Sequence, residues 1–435
     1  MRTAKLVVSA ALVTTVTGAV AGCRERAAAL LAYDAGPPPL TTPTEEPRQV
    51  HFSYTAPDAV TFVWRGGDPT IRVWSKSVAP RVIQARAPNP APTSSPGPWQ
   101  EAVVDGLQPG MDYVYEVGRP PRPQTQTFRA PPAPGTSGFS FIAVGDIGAS
   151  TSWPAASILH RLISVREPAF VLALGDLTYG DIRSPADVDR HFDDVMVWSR
   201  RAAYMPVWGN HEWSGKGGDD LRNYKGRFAL PNAAASPGAP AAGCCGEDWY
   251  WFDHGSVRFI VYPEPYNKET WPDWARAAAP LFAAAEANPD LDFVVTTGHR
   301  PAYTSGHHGG EPQLRAILDD FGKRFPKYVL NIAGHSHAYE RTTPQAHVVH
   351  ITAGIGAGPL EHAPTDCHWT ECKQPPFIAY RAIHHGYVRL TVHPSAIGIE
   401  AVCGASSPGD DTVRCAAGQS IDQATINPAV SGGRR

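Results

Sequence analysis

Phe139-Ser140-Phe141-Ile142-Ala143-Val144-Gly145-Asp146-Ile147-Gly148 decides how this chain is read. Six mostly apolar residues, rich in branched and aromatic side chains, make a buried strand over Phe139–Val144. Gly145 then lets the backbone turn sharply and sets Asp146 at the strand's end. The same texture recurs further on. Phe170–Leu174 runs into Gly175-Asp176-Leu177-Thr178-Tyr179, and Tyr204–Trp208 into Gly209-Asn210-His211-Glu212. Phe293–Thr297 runs into Gly298-His299, and Tyr328–Ile332 leads to Gly334-His335-Ser336-His337. Helical stretches at Trp153–Val165, Pro185–Arg200 and Trp271–Ala287 fall between the strands, with Ser152 and Ser184 placed as caps. Alternating strands and helices give an α/β domain. Open sheets of that kind place ligands just past the carboxyl ends of their strands.

Taken singly, each element is an ordinary turn, since glycine and aspartate both favour turns. Together they put carboxylate, imidazole, amide and phenol groups at five neighbouring strand ends. These are hard or borderline donors, the kinds that hold metal ions. The chain's 17 histidines fit that reading, because neutral imidazole is the commonest metal ligand.

The set and its order resemble the purple acid phosphatases within the calcineurin-like metallophosphoesterases, whose pattern is GDxG, GDxxY, GNH-D/E, VxxH and GHxH. Four of the five stand intact. The fourth departs, since Val295-Thr296-Thr297-Gly298-His299 carries one residue more, or pairs through Val294 and Val295 in a shifted register. The resemblance implies a β-sandwich flanked by helices and a binuclear metal centre. Asp146, Asp176, Tyr179 and His337 would hold one ion; Asp176, Asn210, His299 and His335 would hold the other. A carboxylate shared between two cations fixes their spacing and offsets their charge. A free phenol has a pKa of about 10, so ligation by Tyr179 calls for a strongly Lewis-acidic ion. Ferric iron is the family's choice there, with iron, zinc or manganese as the second ion.

The implied activity is hydrolysis of phosphate monoesters by a hydroxide generated on the metals, releasing inorganic phosphate. His211 is the candidate proton donor to the leaving group, with Glu212 to orient it. His307 and His308 are candidates for binding phosphate or giving a proton. Arg300 and Arg341 adjoin ligands and could meet phosphate or form salt bridges. A phosphodiesterase or nucleotidase could use the same site. The non-enzymatic alternative is a surface adhesion lipoprotein. Neither a nucleophile-elbow serine motif nor a P-loop lysine motif is present, which argues against serine hydrolases and NTPases.

Upstream, Gln49–Arg129 reads as a small all-β unit. Val50-His51-Phe52-Ser53-Tyr54 and Val60-Thr61-Phe62-Val63-Trp64 alternate. Leu107-Gln108-Pro109-Gly110 followed by Tyr113-Val114-Tyr115 resembles a fibronectin type III signature, with Tyr113 as its corner tyrosine. Pro131–Gly135 is the linker. The expected divisions are 1–22 signal peptide, 23–48 tether, 49–130 fibronectin-like domain, 138–403 catalytic domain and 404–435 a tail ending in disorder.

Arg2 and Lys5 precede an apolar run from Leu6 to about Val20, too short for a membrane span. Val20-Ala21-Gly22-Cys23 resembles a bacterial lipobox, which implies acylation of Cys23 and anchorage to the membrane of the cell envelope. The Pro/Thr/Glu-rich stretch Gly36–Pro47 would be an extended tether. If Cys23 is acylated, six of the seven cysteines remain, an even set that suits disulfides in an exported protein. Cys367 and Cys372 are near neighbours, as are Cys403 and Cys415, while Cys244 and Cys245 adjoin; the connectivity stays open. A net charge of −3 without a basic run gives no nucleic-acid footprint.

Overall fold

The structure, a computed structural model, describes residues 46–119, 124–148, 153–180, 185–212, 222–236, 246–362 and 373–427. The expected signal peptide, most of the tether and Cys23, Cys244, Cys245, Cys367 and Cys372 lie outside the described residues.

Among the described residues the first unit has seven strands: β1 (Arg48–Ala56), β2 (Ala59–Arg65), β3 (Thr70–Trp74), β4 (Arg81–Gln84), β5 (Trp99–Val104), β6 (Asp112–Val117) and β7 (Gln126–Arg129). They form two antiparallel sheets, ordered β1-β2-β5 and β4-β3-β6-β7. Phe52 and Phe62 from one sheet meet Tyr115 and Phe128 from the other, with ring centroids 4.5 to 5.6 Å apart. Trp64 is fully buried. The Tyr113 hydroxyl accepts the backbone N–H of Gln108 at 2.9 Å, pinning the turn before β6.

Alternation in β1 predicts that His51 and Ser53 face water, yet both are buried. That face of β1 is covered by the second unit. Ser53 Oγ donates to Tyr204 O (3.1 Å), Tyr54 Oη to Ala169 O (2.9 Å) and Ser199 Oγ to Val50 O (2.9 Å). Strand periodicity shows only that two faces differ, not what covers the polar one.

The second unit is also a two-sheet structure. Its strands are β8 (Phe139–Val144), β9 (Phe170–Leu174), β10 (Ala203–Val207), β11 (Trp251–His254), β12 (Val257–Val261), β13 (Phe293–Thr297), β14 (Tyr328–Ala333), β15 (Tyr339–Thr342), β16 (Val349–Ala353), β17 (Ile378–Ala382), β18 (Gly386–His393), β19 (Ala396–Cys403) and β20 (Ser420–Ile426). One sheet runs β10-β9-β8-β18-β19-β20; the other runs β11-β12-β13-β14-β16-β15-β17. Their inner faces pack together, as where Phe141 of β8 meets Phe259 of β12 with centroids 5.1 Å apart. Helices cover the outer faces: α1 (Trp153–Arg166) and α2 (Pro185–Asp194) beside the first sheet, α3 (Thr270–Ala287) and α4 (Pro312–Arg324) on the second. The helix expected over Pro185–Arg200 is interrupted at Val195 and resumes as a single turn at Met196–Ser199.

Strands β8, β9 and β10 are parallel, as are β12, β13, β14 and β16. Within each sheet the carboxyl ends therefore share an edge. Hydrogen bonds then join the edges across the sandwich: Gly145 N–H donates to Ala353 O (2.8 Å), and His299 Nδ1–H to Leu174 O (2.7 Å).

The expected tail from residue 404 needs correction. Cys403 is bonded to Cys415, with Cα atoms 6.4 Å apart. Beyond it β20 pairs antiparallel with β19, placing Ile399 opposite Ala424. The Ser/Gly-rich loop before β20 and that strand's polar outer face hid it from a pattern reading.

Candidate metal centre

The motif glycines are where the strand ends can meet. Gly175 sits at φ +86° and faces His299; a β-carbon there would stand 2.7 Å from the imidazole Cγ. At Gly334 it would stand 2.8 Å from both Asp146 Oδ2 and Leu174 O. Four donor residues are themselves left-handed: Asp146 (φ +54°), Asp176 (+50°), Tyr179 (+55°) and His335 (+68°). Each such residue costs about 1–3 kcal/mol, and such conformations persist where the surroundings enforce them, commonly at functional sites.

Tyr179 Oη lies 3.1 Å from Asp146 Oδ1 and 3.1 Å from His337 Nε2, and those two atoms are 3.0 Å apart. One face of an octahedron with bonds of about 2.1 Å has edges of about 3.0 Å. His337 donates its Nδ1 proton to Pro359 O, so its Nε2 lone pair faces the triangle. Only the phenol proton is left to satisfy three electron-pair donors. A second group lies beside it. His299 Nε2 is 3.1 Å from Asn210 Oδ1, 3.1 Å from His335 Nδ1 and 3.4 Å from Asp176 Oδ1. His299 spends its own Nδ1 proton on Leu174 O at 2.7 Å. Asp176 has carboxylate oxygens within 4.8 Å of donors in both groups. Converging lone pairs with too few protons, on side chains oriented by backbone carbonyls, fit a pair of cations.

Electrostatics point the same way. Burial penalises a charged imidazole, yet Asp176 draws His299 up to about 10, and Asp146 draws His337 up to about 9. Burial would raise Asp176, but His299, His211 and His335 hold it below the usual carboxylate range. Burial, then Asp146 and Asp176, push the Tyr179 phenol well above its ordinary value. The cluster thus favours added positive charge, and phenolate at Tyr179 requires a cation beside it.

All seven expected ligands, Asp146, Asp176, Tyr179, Asn210, His299, His335 and His337, are brought together. Of the three candidate histidines, His211 sits at the rim, its ring edge-on to Tyr179 at 4.8 Å and its Nε2 3.9 Å from Asp176 Oδ2. His308 stacks on His335 with centroids 4.5 Å apart, and its Nε2 is 3.3 Å from Glu361 Oε2. His307 is exposed and lies beyond it, against the His308 ring at 5.0 Å.

Other readings change. Glu212, expected to orient His211, instead accepts the backbone N–H groups of Asp176 (2.8 Å), Leu177 (2.8 Å) and Gly209 (2.7 Å). It clasps two motif turns to each other. Burial, aided by Asp176, raises its carboxyl to about 8. Arg341 is committed to Asp422 at 2.7 Å. Arg300 binds Glu264 (2.6 Å) and Glu311 (3.1 Å), and its Nη1 reaches His335 Nε2 at 3.3 Å. Glu361 went unrecognised, although its loop follows β16 through Gly354, Gly356 and Gly358, the same glycine-after-strand signal that marked the other turns.

Residues 139–339 match the family model described as calcineurin-like phosphoesterase. All seven clustered donors lie within that matched stretch. Among curated relatives, a phosphoenolpyruvate phosphatase of Allium cepa is 28% identical over 269 residues, 58% of this chain and 52% of the relative. A purple acid phosphatase of Glycine max is 27% identical over 317 residues, 65% of this chain and 64% of the relative. The chain therefore spans about half to two thirds of the length of these relatives. In fold, the purple acid phosphatase from yellow lupin seeds superposes with a TM-score of 0.68 at 20% identity, covering 88% of this chain and 74% of that one. The sandwich that carries the donors and its flanking all-β unit thus share the fold of that structure.

Proposed function

We propose that this protein is a purple acid phosphatase-type enzyme that hydrolyses phosphate monoesters at a binuclear metal centre. One observation carries the reading: two adjoining sets of N and O donors, linked by the Asp176 carboxylate, with too few protons to satisfy each other. Asp146, Tyr179 and His337 would hold one ion, Asn210, His299 and His335 the other, and Asp176 both. Tyr179 favours ferric iron at the first position, and iron, zinc or manganese suits the second. When bound, such a pair supplies concentrated positive charge for the phosphoryl group and makes water more acidic.

The chain's own groups do the rest. Glu212 keeps the turns bearing Asp176 and Asn210 in register through three backbone N–H groups. His211 reaches the rim from beside Tyr179 and is placed to give a proton to the departing oxygen. His308, lying on His335 with its Nε2 3.3 Å from Glu361 Oε2, is the candidate to meet the phosphoryl oxygens, with His307 outside it. The all-β unit reads as a fibronectin type III-like domain. The amino terminus reads as a lipoprotein signal, with export and anchorage through Cys23; the Cys403–Cys415 bond suits an oxidising compartment.

The test is metal analysis with a visible spectrum, alongside turnover of p-nitrophenyl phosphate and its bis-ester. Two ions per chain, a broad phenolate-to-iron absorption and faster monoester turnover are expected. Tyr179→Phe should abolish the absorption. Colour retained in that variant would reject Tyr179 as a ligand, and preference for the bis-ester would move the activity to diesters.

A further inference from the structure

A second cluster of ligand-type groups lies at the junction of β17, β18 and β19, outside the site above. His384 lies in the segment between β17 and β18 and is 1% exposed. Its Nδ1 proton goes to His385 O at 2.7 Å. Its Nε2 therefore carries a lone pair, buried and without a hydrogen-bond partner. The sulfur atoms of Cys403 and Cys415 lie within 4.8 Å of a ring nitrogen of His384 and of each other. Asp411 Oδ2 lies 3.8 Å from Nε2, too far for a hydrogen bond, and Asp411 Oδ1 is also buried without a partner. Asp411 Oδ2 accepts from Ser406 Oγ and from the Ser407 N–H at 2.9 Å, which leaves Oδ1 and His384 Nε2 as the unsatisfied atoms, and each buried unsatisfied polar atom is costly.

The framework around them is fixed. Thr412 Oγ1 accepts the N–H of Ile383 at 2.9 Å, and Thr412 N–H donates to Ile383 O at 3.0 Å. Cys403 N–H donates to Gln419 O at 2.8 Å. The His384 ring and the two sulfurs are thus held close together, with Asp411 beside the ring.

We propose that Cys403, Cys415, His384 and Asp411 form a redox-controlled zinc site. While the S–S bond stands, the sulfurs offer no charge and the site is closed to metal. On two-electron reduction by a phosphine, the S–S bond breaks, each sulfur takes a proton from water, and phosphorus takes the oxygen to become the phosphine oxide. Zinc then displaces both thiol protons to the buffer and gains two thiolates, His384 Nε2 and an Asp411 oxygen. This is a four-coordinate S2NO set suited to zinc. The metal would clamp the start of the loop that leads into β20, as the disulfide does in the oxidised chain. The proposal stands apart from phosphate hydrolysis, and its test reads thiols rather than turnover.

The full chain is reduced with a phosphine, and alkylation of Cys403 and Cys415 is followed by peptide mass spectrometry with and without zinc. Zinc should slow alkylation at both positions by about tenfold or more, and His384→Gln should lose most of that protection. Cobalt should give a thiolate charge-transfer band that Cys403→Ser/Cys415→Ser removes. If the reduced chain loses its β-sheet circular dichroism, zinc should restore it. Absent protection, protection undiminished in His384→Gln, a cobalt band surviving in the double serine variant, or a reduced chain that zinc fails to refold would each overturn the assignment.

Discussion

His254 should make this fold sensitive to acid, by an amount the structure sets. It ends β11 at the contact between the two units and is 2% exposed. It is enclosed by Phe139, Phe170 and Tyr54, with ring centroids at 4.6, 5.1 and 5.2 Å. Its Nδ1 has no hydrogen-bond partner, and burial alone lowers its pKa from 6.5 to about 3. The folded chain therefore holds it neutral, while the unfolded chain protonates it below pH 6.5. A depressed folded value means stability that is complete above 6.5 and is lost as pH falls toward 3. Linkage puts the loss at about 2 kcal/mol by pH 5 and about 3 kcal/mol by pH 4, a large share of the ~5–15 kcal/mol that holds a typical domain. His254→Leu keeps the apolar enclosure and removes the titration. Urea unfolding at pH 7.5 and pH 5 should show the variant losing about 2 kcal/mol less than the parent between those values. The same decline in both proteins would refute the reasoning, for it would mean that His254 is not held neutral by its surroundings.

Asp176→Asn should lose both metal ions and turnover together, measured by elemental analysis after desalting; a variant that keeps two ions would exclude a shared carboxylate. His211→Ala should slow esters of poor leaving groups by about 10²-fold or more and esters of p-nitrophenol less, read from kcat across a leaving-group series; a uniform loss would remove it from proton donation. Gly334→Ala places a methyl 2.8 Å from Asp146 Oδ2, so metal affinity should fall by an order of magnitude or more, roughly the effect of disturbing a ligand's support. Unchanged affinity by competition with a chelator would show that the turn can yield.

The sandwich that carries the donors was legible in sequence because its signals are local. An apolar run ending in Gly-Asp or Gly-Asn-His states both the strand and the donor beyond it, and parallel strands collect those donors on one edge. Even the irregular fourth element put His299 at its strand end, with its ring oriented by Leu174 O. What local pattern could not show was partnership across distance. Glu212 and His211 adjoin in sequence, but the Glu212 carboxylate turns back to three N–H groups of other turns. Arg341 is next to a motif yet meets Asp422, 81 residues away. Strand β20 was missed because an edge strand needs no continuous apolar face, and Ser420–Ile426 has none.

Strand β1 is buried on both faces, one by the opposing sheet of its own unit and the other by the neighbouring unit. A boundary drawn through the proline-rich linker would therefore be misleading to anyone trimming the gene. A fragment confined to residues 139–339 would lack the wall that shields Tyr204 and Ala169, as well as three strands of its first sheet. The smallest piece that behaves like the parent should begin before Arg48 and end after Ile426, and the all-β unit cannot be transplanted as a detachable module.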